Sequence, residues 1–220
     1  MKKKFKIKST DIITFLTIFI LTSSIFGLYN FKDKEEEFEL PENVFEYTSK
    51  LNNGTYFIEE IDNVFLAYIP LSNDQYYKLG FRLDPRELSN YEYNVNVLNK
   101  INNQNKIYLS TNPNIVDGKI NVAILELQNS LALSGLNRNL KMIEAYTQDS
   151  NPINPEIPLK SCKDNDFVIE FNIDNNDGVF VKENCIQINS TNSDDLINYA
   201  DSIGYGLVGI NWDMTQFLRN

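Results

Sequence analysis

The pattern of apolar and polar positions changes character three times along the chain. Residues 12–29 (IITFLTIFILTSSIFGLY) are an 18-residue apolar run, mildly interrupted by Thr14, Thr17 and Thr22. As a helix the run reaches about 27 Å, close to the hydrocarbon thickness of a bilayer. It shows no polar stripe at 3.6-residue spacing, the mark of a half-buried surface helix. Residues 30–43 follow as a charged stretch ending in KDKEEEFELPEN, read as a short stalk.

From residue 44 the pattern predicts strands. Tyr56–Glu60 and Val64–Ile69 are β-rich runs joined by Ile61-Asp62-Asn63, a hairpin signal. Tyr76–Leu83 is an aromatic, alternating run closed by Asp84-Pro85. Tyr91–Val97 alternates strictly, Tyr91, Tyr93, Val95 and Val97 against Glu92, Asn94 and Asn96, the period of a half-buried strand. Lys106–Ser110 is the next predicted strand.

The second half reads differently. Lys119–Ser134 places apolar residues at 120, 123, 124, 127 and 131, a helical spacing, with Gly135 as its C′ residue. Leu140–Thr147 follows as a strand, and QDSNPINPEIP (148–158) as a proline-punctuated loop. Phe167–Ile173 and Gly178–Val181 flank Asp174–Asp177, which reads as a hairpin turn, and Cys185–Asn189 adds a further strand. Thr191–Asp194 is a capping-box pattern opening a helix with Leu196, Ala200, Ile203, Leu207 and Ile210 on its apolar face. The expected fold is therefore mixed α+β. A basic tail (1–11) and a transmembrane helix (12–29) lead through the stalk (30–43) to a β-rich lobe (44–105). A strand–helix–strand lobe (106–220) follows, with one parallel crossover and a C-terminal helix.

Charge gives the apolar run its orientation. Lys2, Lys3, Lys4, Lys6 and Lys8 precede it, which holds that end in the cytoplasm and the remainder outside. The exit, Ser23-Ser24-Ile25-Phe26-Gly27, is a poor match to a signal-peptidase site, so an uncleaved anchor is the reading; a cleaved signal and a buried core helix are the alternatives. Five lysines and one acid in residues 1–31 leave 15 basic and 29 acidic residues beyond, a net of −14. A field of that sign repels phosphate backbones, which argues against a nucleic-acid partner. The chain contains no histidine, which excludes Ser-His and Cys-His pairs and imidazole metal ligands. No cofactor motif and no metal site stand out, and no catalytic residue is assigned.

The remaining candidates are few. Cys162 and Cys185 bracket two predicted strands; in an oxidising exterior they read as a disulfide, and otherwise as two unpaired buried thiols. Arg82, Asp84 and Arg86 cluster beside Pro85, either as a fork for an anion or carboxylate or as an ion-paired strand end. Asn172–Glu183 mimics a calcium loop but lacks the glycine at its sixth position, where Asp177 stands. Glu59 with Glu60, and Glu126 with Glu144, are carboxylate pairs of the kind any acidic chain offers. Asn53 and Asn189 head Asn-x-Thr sequons, acceptors for glycosylation in a suitable host.

The segments FRLDPREL (81–88), IYLSTNP (107–113), NVAILELQNSLAL (121–133), NCIQI (184–188) and DDLINYADSIGYGLVGI (194–210) occur in that order. The set resembles an uncharacterised archaeal family of small, N-terminally anchored proteins with an extracytoplasmic α/β domain and a cysteine pair. The resemblance covers most of residues 55–210; it implies the topology and the Cys162–Cys185 disulfide, and no activity. The functional expectation is an anchored interaction or structural component of the cell envelope, with an envelope protein as partner. A carboxylate-dependent hydrolase and a ligand- or cation-binding receptor domain are the alternatives.

Overall fold

The structure, a computed structural model, describes residues 42–49, 52–72, 75–115, 117–148 and 154–211. The basic tail, the apolar run 12–29 and nearly all of the stalk lie outside the described residues. No helix among the described residues is long and apolar enough to cross a membrane.

The first four strands form an antiparallel meander in chain order: β1 (Val44–Thr48), β2 (Thr55–Ile61), β3 (Val64–Ser72) and β4 (Gln75–Phe81). Asp62 and Asn63 close the β2–β3 hairpin with both φ angles positive (49° and 62°), a conformation these two residue types tolerate well. Alternation does the rest. Ile58 faces Ala67 across one pair and Ala67 faces Leu79 across the next, so one side of the sheet is apolar and buried.

After β4 the expected strand over Tyr91–Val97 does not form. A 3₁₀ turn (Pro85–Asn90) leads instead into helix α1 (Asn96–Asn102). The Asn94 side chain accepts from the Asn96 N–H at 2.9 Å, a local bond that competes with strand pairing. The buried residues, Tyr93, Val97, Leu98 and Ile101, then fall at helical spacing. The alternation was real in the sequence, but its last apolar member is the first buried residue of a helix.

A second sheet holds β5 (Lys106–Thr111), β6 (Lys141–Tyr146), β7 (Val168–Ile173), β8 (Gly178–Lys182) and β9 (Cys185–Ser190), in the order β6-β5-β7-β9-β8. Helix α2 (Gly118–Ser134) makes the predicted parallel crossover from β5 to β6, and helix α3 (Ser193–Leu207) follows β9. The expected hairpin at Asp174–Asp177 is corrected. β7 and β8 are not neighbours, because β9 lies between them, parallel to β7 and antiparallel to β8. The tight turn is Glu183-Asn184 instead. Asp177 accepts from the Thr191 N–H (2.6 Å) and the Ser190 hydroxyl (3.0 Å), which ties the β7–β8 loop to the far end of the inserted strand.

Two helix ends also differ from expectation. Gly135 is right-handed (φ −90°), not a left-handed C′ residue, and the left-handed position is Asn139 (φ 50°). Glycine is required at 135 for space: an added Cβ would lie 2.7 Å from the Leu140 Cβ. At the start of α3 the cap is Asn192, whose side chain accepts from the Asp195 N–H at 2.9 Å, one residue into the expected box.

Helix α3 belongs to both cores. Its Leu196, Ile197, Ala200 and Ile203 pack with α1, α2 and the helix-side face of the five-stranded sheet. Tyr205, with Ile210 just beyond the helix, packs under the four-stranded sheet, where the Tyr205 ring stacks on Phe81 at 3.7 Å. Nine of its 15 residues are buried, Asp201 among them.

Candidate functional site

In the arginine turn only Arg86 and Asp84 are brought together, and each cation already has an acidic partner. Asp84 caps the 3₁₀ turn by accepting from the Arg86 N–H at 2.8 Å, and the Arg86 guanidinium folds back onto the same carboxylate. Arg86 also reaches Glu60 at 3.4 Å and covers the Phe45 ring. Arg82 goes elsewhere, placing its Nε 2.8 Å from Glu126. None of the concavities described below is lined by Arg82, Asp84 or Arg86. The turn has the geometry of an ion-paired strand end.

Beneath it lies a pair that the sequence did not single out. Asp201 is fully buried, and its Oδ2 accepts from the backbone N–H of Arg82 (2.6 Å) and Leu83 (2.9 Å). Its Oδ1 and the Oε2 of Glu126 are both buried without a donor when both groups are ionised. Two carboxylates cannot bond to each other; one proton shared between them satisfies both oxygens. Burial, reinforced by the Glu126 charge, pushes the Asp201 carboxyl well above the usual range, and burial raises Glu126 too. Glu126 thus pairs with Asp201 and not with Glu144. Glu59 and Glu60 separate likewise, the first to Tyr68 and Lys78, the second to Arg86.

Cys162 and Cys185 are joined as a disulfide with Cα atoms 5.2 Å apart. Cys185 opens β9 and is buried; Cys162 lies on the segment that crosses the side of the sheet opposite the helices. Glu170, on β7, fixes that crossing. Its Oε2 accepts from the Cys162 N–H at 2.9 Å, and its Oε1 from Asn172 and Gln187, each at 3.1 Å. Cys162, Cys185 and Glu170 bring three ligand-type atoms within 4.8 Å of one another, yet bridged sulfurs have no thiolate to offer a metal. A charged hollow of about 330 Å³ adjoins the bridge, between Lys163, Asp164, Lys182 and Glu183.

The two sequons have opposite surroundings. Asn53 is exposed in the β1–β2 turn with φ 53°. Asn189 is 6% exposed and its Oδ1 accepts from Asn172 at 3.1 Å. A glycan on Asn189 does not fit the folded domain.

Two further concavities contrast in chemistry. A groove of about 440 Å³ runs between the end of β3 and the C-terminal ends of α2 and α3, lined by Ile69, Leu71, Leu133, Leu136 and Leu207. Leu71 is 47% and Leu136 63% exposed, and Tyr76 and Tyr77 of β4 add further exposed apolar surface. A polar crevice of about 370 Å³ lies at the carboxyl ends of β5 and β6, over the first turn of α2.

No family model, curated protein or solved structure matches the chain. Function has to be read from the residues.

Proposed function

We propose that the chain is an extracytoplasmic interaction module of the cell envelope, tethered by residues 12–29 with its lysine-rich tail in the cytoplasm. The observation that carries this reading is the Cys162–Cys185 bridge. A disulfide inside a packed core persists in an oxidising compartment and is rare in a reducing one. It therefore agrees with the side of the membrane that the five N-terminal lysines assign to the domain. The likeness of its motifs to the anchored archaeal proteins belongs to the same reading. The exposed apolar side chains around the Leu71–Leu136 groove support an interaction role, because large apolar surface left in water is the usual mark of a protein contact.

Intact cells expressing the full chain test both halves. Mass spectrometry without reductant is expected to find Cys162 linked to Cys185. An impermeant thiol reagent should label the pair from outside, and only after reduction. A photo-crosslinker at Leu136 should then trap a protein that the same probe at Lys141 does not. Free thiols labelled only after permeabilisation overturn the topology. Equal crosslinking from both positions overturns the interaction role.

A further inference from the structure

We propose that the crevice at the carboxyl ends of β5 and β6 binds an uncharged, polyhydroxylated ligand of monosaccharide size. The site does not depend on the anchor or on the envelope reading. It is built by register. Thr111 pairs with Tyr146 and Leu109 with Glu144, so Thr111, Tyr146 and Glu144 share the face of the sheet on which α2 packs, and all three line the crevice. Asn121, from the first turns of α2, closes the opposite side. The crevice opens at the carboxyl ends of two adjacent parallel strands, where the β5–α2 connection leaves the sheet.

Thr111 supplies the independent sign of a ligand. The residue is 8% exposed, and its hydroxyl has no hydrogen-bonding partner among the described residues. Ser110, its neighbour on the opposite face, spends its hydroxyl on the Lys160 carbonyl, so an orphaned hydroxyl is not the habit of this strand. A buried hydroxyl without a partner destabilises the fold, and its retention is explained by a group that arrives from solvent.

Charge decides the class of ligand. The start of a helix ordinarily invites an anion, but here Asp117 already holds that place. It accepts from the Lys119 N–H at 2.9 Å and from the Ser193 hydroxyl, and these bonds keep its carboxyl below the usual range. Glu144 is a second carboxylate on the wall, and among the described residues no lysine or arginine lines the crevice. The two carboxylates oppose a phosphate or carboxylate ligand. Lysine 119 itself turns away, to Asp194 at 2.7 Å. What remains is a hydroxyl, an amide and a carboxylate that exchange hydrogen bonds with a polyol, and the Tyr146 ring as a surface for its C–H face. Among known pockets of small ligands, about 300 Å³ is the lower end of the usual size, which the crevice just exceeds.

The test uses the full chain in a detergent without a sugar headgroup. Saturation-transfer NMR would probe D-glucose, D-galactose and N-acetyl-D-glucosamine, with D-glucose 6-phosphate as the anionic counterpart. At least one neutral sugar is expected to receive saturation, with affinity falling about tenfold or more in Glu144→Gln and in Thr111→Val. The phosphate ester should bind more weakly than its parent sugar. Thr111→Val should also melt a few degrees higher than wild type, roughly the shift expected for a small stability gain, because it removes an unpaired buried hydroxyl. Loss of binding together with a gain in stability is the signature of a side chain kept for a ligand. Absence of transfer from all three sugars overturns the proposal. So does binding that survives both substitutions, tighter binding of the phosphate ester, or a lower melting point for Thr111→Val, which would show that the hydroxyl serves the fold.

Discussion

At the scale of single residues, Asp201 is the most consequential side chain in the domain. Its Oδ2 holds the backbone where β4 ends and the arginine turn begins, while its Oδ1 needs a proton shared with Glu126. Both carboxyls are raised on folding, so the native state keeps a proton that the unfolded chain releases. The stability this contributes is fully present below the ordinary aspartate value of 3.8 and is lost as pH rises through the raised folded value. One proton of difference corresponds to a slope of about 1.4 kcal/mol per pH unit. Glu126→Gln supplies a permanent N–H donor for Oδ1 and removes the competing charge, so Asp201 ionises more readily. Urea unfolding of wild type and Glu126→Gln across pH 4–8 should therefore give a flatter dependence in the variant. Parallel curves would mean that the pair shares no proton.

At the scale of elements, the close approach of α1 to α3 depends on Gly206. A Cβ there would collide with the Tyr93 hydroxyl and come within 3.0 Å of Leu98. Gly206→Ala should cost about 1–3 kcal/mol, the usual range for overpacking a closed core. Tyr93→Phe should restore part of that loss in the double variant and leave the share due to Leu98. Additive losses in the double-mutant cycle would place the strain elsewhere. This contact also shows what sequence pattern does and does not carry. β2, β3, β5, β6 and α2 were legible because period-2 or helical spacing, together with the Asp62-Asn63 turn, marks elements that pair or pack with chain neighbours. The exchange of β9 for β8 beside β7 was not legible, because an alternating strand carries no label for its partner. The α1 segment misled for a related reason: Tyr91, Tyr93, Val95 and Val97 satisfy the strand period, and only the Asn94 bond and burial against α3 select the helix. Of the candidate residues, the cysteine pair was legible from compartment chemistry. Asp201 with Glu126 was not, since the two are 75 positions apart on different helices and neither has a distinctive neighbour.

At the scale of the whole described domain, α3 is the wall that the two sheets share. Helix α2 adds to the join through Leu133, which packs on the core of the four-stranded sheet, and through the Arg82–Glu126 ion pair. Ile203 and Ala200 close the core of the five-stranded sheet, while Tyr205 stacks on Phe81 and donates to the Leu83 carbonyl at 2.9 Å beneath the four-stranded one. Ser202, between them, donates to the Tyr91 carbonyl at 2.9 Å and fastens the connecting turn to the same helix. Neither sheet can lose α3 and keep a closed core, so the two should unfold together although they differ in topology and direction. Urea unfolding of the full chain in detergent micelles, followed in parallel by far-ultraviolet circular dichroism and tyrosine fluorescence, should then give one coincident transition. Phe81→Ala probes the first sheet and should shift that transition by about 3–5 kcal/mol, and Ile203→Ala in the second core by about 2–5 kcal/mol. Each variant should still unfold in a single step. Two separated transitions, with each substitution moving only one of them, would show that the sheets are independent lobes and that α3 is tied to one of them alone.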